Sequence, residues 1–203
     1  MPEALKNLIN SISYLPGIGE KSANKLAFFL LNSNSNYLES FSQSLLNIKD
    51  KISQCKTCHS LIDLGQEECN ICLNHSRNHN IIAVIEEYLD MQTIEQAGNF
   101  DGVYHILGGA ISPINGTFVS DLNFNTLFER INNSEEKVEI LLATNPNIEG
   151  EATTSYIIEM IEEKKLKHKT IITRLSRGLS SGYIEYADNI TLANAIKERK
   201  IIS

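Results

Sequence analysis

Cys55-Lys56-Thr57-Cys58 and Cys69-Asn70-Ile71-Cys72 are two C-x-x-C pairs ten residues apart, and together they hold every cysteine of the chain. Two such knuckles joined by a short loop bring four thiolates to one point, as tetrahedral zinc requires. Protein ligands then fill all four positions, so the metal is structural and offers no open site to a substrate. The competing reading is a pair of disulfides, which needs an oxidising compartment that nothing else in the chain suggests. A module of this size buries little, so the folding free energy must come largely from metal binding. The cluster also divides the chain. The reading is of four parts: a helical region over 1–54, the cysteine module over 55–79, an alternating region over 80–175, and a C-terminal strand/helix segment over 176–203 expected to serve oligomer contacts.

Bulk composition narrows the class. Hydrophobic residues make up 42% of the 203 positions, enough for a buried core. The start carries no charged n-region ahead of an apolar run, and no window approaches 18 apolar residues, so neither a signal peptide nor a membrane span is expected. A cytoplasmic location follows and agrees with metal-bound cysteines. The net charge of −7 argues against a protein that coats nucleic acid indiscriminately. The charge is uneven, however. Residues 1–54 carry five lysines against four acids, whereas 80–203 carry 11 basic residues against 18 acids. Any nucleic-acid contact belongs to the N-terminal part.

There, Ala4, Leu5, Leu8, Ile9 and Ile12 recur at helical spacing. Leu15-Pro16-Gly17-Ile18-Gly19 breaks the pattern, and a second helix runs from about Lys21 to Leu31, with Ala23, Leu26, Ala27 and Leu30 on one face. Gly17 and Gly19 allow a tight turn with bare backbone N–H groups at a helix N-terminus, which suits a phosphate oxygen. Lys21 and Lys25 lie one turn apart and flank the same path. The stretch resembles a helix-hairpin-helix, an element that grips DNA backbone without reading bases; the bland alternative is a glycine turn between packed helices with solvated lysines. Tyr37 to Ser53 reads as a further helix, with Phe41, Leu45, Leu46 and Ile48 as its core face.

From Asn80 onward strands and helices alternate: strands at 81–85, 103–107, 138–143 and 170–173, helices at 90–97, 122–131, 150–165 and 191–199. Ala152, Tyr156, Ile157, Met160 and Ile161 form the apolar stripe of the third of these helices. The fold class is therefore α/β, with a largely parallel sheet and a C-terminal helix. Sites in such sheets collect at the carboxyl ends of strands. Glu86-Glu87, Gly108-Gly109 and the run Thr144-Asn145-Pro146-Asn147-Ile148-Glu149-Gly150-Glu151 all lie there. Carboxylates at neighbouring strand ends suit Mg²⁺; equally, Glu149 and Glu151 at a helix start stabilise its dipole and do nothing more. No G-x-x-x-x-G-K-[ST] occurs, Gly108-Gly109 lacks dinucleotide-binding spacing, and the five histidines form no H-E-x-x-H. His59 and His75 lie near the cysteines and are available as spare ligands, but four thiolates suffice.

The order of these parts carries a resemblance. Leu15-Pro16-Gly17-Ile18-Gly19 with Lys21-Ser22-Ala23, the four cysteines, Val84-Ile85-Glu86, Tyr104 to Pro113 and Ala143-Thr144-Asn145-Pro146 with Glu149 to Thr153 are together similar to the RecR family of bacterial recombination mediators, from end to end. Thr173 to Gly178 and Glu185 to Asp188 resemble its C-terminal part. The resemblance implies a Toprim domain from about residue 80 and a homotetrameric ring able to encircle DNA, with no chemical step. It implies a clamp and adaptor that acts with RecO, and in many bacteria RecF, to help RecA displace single-strand-binding protein on gapped DNA. Carried over, Gly17, Gly19, Lys21 and Lys25 face DNA; Cys55, Cys58, Cys69 and Cys72 hold Zn²⁺; Glu86 and Glu149, with Glu151 beside them, are the Toprim acids used for DNA or partner engagement. Catalytic Toprim enzymes carry Asp-x-Asp where this chain has Thr144-Asn145-Pro146, so a full Mg²⁺ site is short of ligands. The alternative function is a Mg-dependent Toprim nuclease or nicking enzyme using Glu86, Glu149 and Glu151.

Overall fold

In the computed structural model of the protein, which describes residues 1–176 and 183–202, the chain divides into two compact units, Met1–Lys51 and Ile52–Ser203. Arg177 and Gly178 lie outside the described residues.

The first unit is three helices, α1 (Glu3–Ser13), α2 (Glu20–Leu31) and α3 (Ser35–Asp50). Between α1 and α2 the chain turns through Gly17 at φ +78°, a backbone conformation that a side chain strains against. Ala23 and Ala27 on α2 are fully buried, and because they are small α1 can approach closely enough to cover them with Ile9 and, in part, Leu5, Leu8 and Ile12. Leu26, assigned from sequence to the same face, is exposed. The larger correction concerns α3, which begins at Ser35 and ends at Asp50, three residues short of the expected end. Asn34 caps it by accepting a hydrogen bond from the Tyr37 N–H at 2.8 Å. None of its residues is buried, and Phe41, Leu45, Leu46 and Ile48, expected as core, are all exposed. An amphipathic stripe says that a helix wants cover, not where the cover comes from.

The second unit opens with a short antiparallel hairpin, β1 (Ile52–Gln54) against β2 (Leu61–Asp63), that carries the first cysteine pair. Then follow β3 (Asn78–Ile85), α4 (Tyr88–Ala97), β4 (Gly102–Ile106), α5 (Phe124–Asn133), β5 (Val138–Leu142), α6 (Ile148–Glu163), β6 (Thr170–Arg174), α7 (Asn189–Lys197) and β7 (Lys200–Ile201). The sheet order is β4-β3-β5-β6-β7, parallel except for β7. Successive strand residues point to opposite faces, so each central strand feeds two cores. Val84, Val103, Ile140 and Leu142 join Leu127 and Ile131 of α5 and Ile157 and Ile161 of α6 on one side. Ala83, Ile85, Tyr104 and Leu141 join Met91 and Ile94 of α4 and Leu192 and Ile196 of α7 on the other. Each fully buried side chain of this kind contributes roughly 1.5–3 kcal/mol. On α6 the expected stripe holds at Ile157 and Ile161, but Ala152 is exposed and Thr153 and Thr154 are buried in its place. The two threonines satisfy their hydroxyls, Thr153 on the Glu149 carbonyl and Thr154 against Thr144, so burial costs them little. No described helix is long and apolar enough to cross a membrane.

Candidate functional site

Three local structures carry the chemistry-bearing residues. In the first unit, Gly19 is the N-cap of α2 and supplies no side chain to cap it. The backbone N–H groups of the first turn are thus left to outside partners. An added Cβ at Gly19 would meet nothing within 4 Å, so packing does not demand glycine there; open approach to the helix end is what glycine provides. Lys21 and Lys25 are exposed on the same side of α2. Glu20 shares that first turn and offsets part of their charge.

In the second unit, the four cysteine sulfurs lie within 4.8 Å of one another, all buried and none in a disulfide. Cys55 and Cys72 are 3.9 Å apart at Sγ, and Cys58 and Cys69 3.5 Å. Metal–sulfur bonds of about 2.3 Å in a tetrahedron put sulfurs about 3.8 Å apart, so the cluster matches a tetrathiolate cage. The backbone helps to hold it: the Cys69 N–H donates to Cys55 Sγ at 3.3 Å and the Cys72 N–H to Cys69 Sγ at 3.4 Å. Without a cation the sulfurs cannot all be anionic. Hydrogen bonding from Cys58, then from Cys72, holds Cys69 well below the ordinary thiol value. Cys58, through its bond to Cys69, and Cys72, through its bonds to Cys58 and Cys69, are pushed far up. The donor set fits a soft or borderline cation such as Zn²⁺. His59 instead hydrogen-bonds Thr126 Oγ1 at 2.7 Å, and among the described residues the cysteines alone form a metal-sized cluster.

The third structure lies where the strand order reverses, between β3 and β5. Glu86 follows β3 and is 5% exposed. Asn145 follows β5 and grips it twice: its N–H donates to Glu86 Oε1 at 2.8 Å, and its side-chain amide donates to Oε2. Asn145 Oδ1 in turn accepts the Ile184 N–H at 2.7 Å. The Gly108 and Gly109 N–H groups both donate to the Glu86 carbonyl at 2.9 Å. Burial raises the Glu86 carboxyl above its ordinary value, against the pull of the Asn145 bonds, and the charges of Glu87 and Glu149 push the same way as burial. The structure therefore brings Glu86 and Glu149 together at one crevice. It turns Glu151 aside, into a two-point ion pair with Arg174. Sequence reasoning noticed Asn145 only as a missing carboxylate and missed Asp90 altogether. Asp90 is 3% exposed, accepts the Glu87 N–H at 2.8 Å and titrates high, at about 7, chiefly because it is buried. A buried acid three residues after Glu87 is visible in sequence only as an ordinary first-turn carboxylate.

Comparison with known proteins agrees with this arrangement. The family model described as "RecR, helix-hairpin-helix" matches residues 5–49, and the one described as "Toprim domain" matches residues 80–176. Curated proteins named "Recombination protein RecR" are similar over nearly the whole chain. That of Tropheryma whipplei is 40% identical over 200 residues, covering 98% of both chains. That of Dehalococcoides mccartyi is 42% identical, covering 97% of this chain and 93% of its own. That of Bifidobacterium adolescentis is 38% identical, covering 98% and 96%. With a glycine-capped hairpin, a tetrathiolate cluster and a Toprim crevice in the matching order, the chain belongs to the RecR family of recombination proteins.

Proposed function

We propose that this chain is a non-enzymatic DNA clamp and adaptor of recombinational repair, working with RecO and RecF to promote RecA loading on gapped DNA coated by single-strand-binding protein. The observation that carries this reading is the first turn of α2. It presents uncapped N–H groups at Gly19 beside exposed Lys21 and Lys25, the arrangement that takes a phosphate without reading a base. Zn²⁺ held by Cys55, Cys58, Cys69 and Cys72 supplies structural cross-linking of the module, since four thiolates leave it no open position. One hairpin with a nearby Glu20 binds weakly, so several copies must converge on one DNA. A homotetrameric ring does this, and the uncovered apolar face of α3 supports self-association. Glu86 and Glu149 serve partner or DNA engagement in place of metal chemistry. Each Glu86 oxygen already accepts a bond from Asn145, and Glu151 is held by Arg174, so a nuclease centre would have to bind Mg²⁺ through the lone pairs Glu86 has left and free Glu151 from its ion pair.

The test is binding of end-labelled gapped DNA across a salt series with Mg²⁺ present. The expected result is intact DNA, binding weakened by Lys21→Ala with Lys25→Ala, and a shallower salt dependence in that variant because fewer counterions are released. Metal-dependent cleavage that Glu86→Ala abolishes, or a salt slope indifferent to the two lysines, overturns the reading.

A further inference from the structure

Three of the described arginines meet carboxylates: Arg77 pairs with Glu95, Arg174 with Glu151 and Arg199 with Glu139. Among the described residues Arg130, partly buried on α5, has no carboxylate partner. Its Nη1 donates to the Tyr104 carbonyl at 2.8 Å, a neutral acceptor that leaves the charge unbalanced. A desolvated charge without a counter-charge is costly.

Its surroundings supply one. Thr126, four residues earlier and on the same face of α5, is bonded to His59, which directly follows Cys58. Tyr104 lies two residues before Ile106, whose N–H donates to the Cys58 carbonyl at 2.9 Å. The cysteine module is thus fastened to α5 and to the edge strand β4 at the point where Arg130 sits. Burial pushes the guanidinium below its ordinary value, and the charge of the four cysteines pulls the other way. A divalent metal with four thiolates carries a net charge of −2, and that charge is buried with it. Two other basic groups among the described residues lie near the module, and neither balances it. His105 is buried and held neutral, at about 3, and Lys56 is exposed and paired with Glu67.

We propose that Arg130 is the charge partner of the tetrathiolate metal centre, a positioning residue that ties metal occupancy to the docking of the cysteine module on α5 and β4. The proposal rests on the reading of the four cysteines as a zinc site. Two unbalanced charges, one on each side of the contact, neutralise each other only while the metal keeps all four sulfurs anionic.

The experiment compares the full chain with Arg130→Met and Arg130→Lys, titrating zinc against a chromogenic chelator and melting each protein loaded with zinc and stripped by EDTA. Arg130→Met is expected to hold zinc about tenfold or more weakly, and Arg130→Lys to recover most of the affinity. In the stripped protein the order reverses: Arg130→Met melts no lower than the unsubstituted chain, because a lone buried cation has been removed. Unchanged zinc affinity, or an equal loss of melting temperature with and without zinc, overturns the proposal and leaves Arg130 a packing residue. Cobalt substitution of the unsubstituted chain separates the two failures. If it yields no tetrahedral thiolate spectrum, the zinc reading itself is wrong and the proposal falls with it.

Discussion

At the scale of single residues, the acids behind β3 have unequal tasks. Glu86 is gripped by Asn145, whereas Asp90 is buried one turn into α4 with one backbone donor and the charges of Glu86, Glu87 and Glu185 around it. Its folded-state value of about 7, raised chiefly by burial, stands above the ordinary 3.8. Below the ordinary value both folded and unfolded chains hold the proton, and stability is at its full level. Between the two values only the folded chain holds it, so Asp90's contribution falls as pH rises and is gone above about 7. The cost is on the order of 4 kcal/mol. Asp90→Asn keeps the acceptor for the Glu87 N–H and removes the charge. Urea denaturation should show it more stable than the unsubstituted chain, with a gap that widens from about pH 4 to about pH 7 and is level above that. A gap independent of pH would mean that Asp90 is not the titrating group.

At the scale of elements, the crevice depends on how closely α6 approaches the loop after β5. Gly150 lies in the first turn of α6, where a Cβ would stand 2.0 Å from the Asn145 carbonyl oxygen and 2.8 Å from Glu86 Oε1. Its N–H donates to the Asn147 side chain at 2.8 Å, which starts the helix there. Backbone cannot retreat as a flexible side chain can. Gly150→Ala should therefore destabilise the second unit by about 1–3 kcal/mol and push α6 away from Asn145. In amide hydrogen exchange the Asn145 N–H, now donated to Glu86, should lose protection, while the sheet amides of β5 keep theirs. Undiminished protection at Asn145 would show that the approach is looser than the geometry indicates.

At the scale of the whole molecule, the notable surface is α3. Phe41 stacks on Tyr37, which meets Phe29 of α2 edge-on, and these rings with Leu45, Leu46 and Ile48 remain exposed. A monomer rarely leaves so much contiguous apolar surface in water. Light scattering should give a particle several times the 22.7 kDa chain mass. Leu45→Glu with Ile48→Glu should lower that mass and leave zinc content unchanged, because the cysteine cluster belongs to the other unit. A chain that sedimented as a monomer before substitution would remove the basis for a ring.

The parts written in local pattern were legible from residues alone: the spacing of four cysteines, the glycine break before Lys21, and the strand–helix alternation that made the fold α/β. Each depends on neighbours a few positions apart, which is where backbone conformation and metal-ligand spacing are set. What needed three dimensions were the contacts between distant segments. Glu86 and Asn145 meet because β5 returns beside β3, 59 positions later in the chain, and that strand order is not encoded in either strand. Arg130 reads as a solvent-facing helix charge until α5 is docked against the cysteine module. The apolar stripe of α3 was visible as a stripe, but periodicity cannot distinguish a face buried within its own chain from one kept for another.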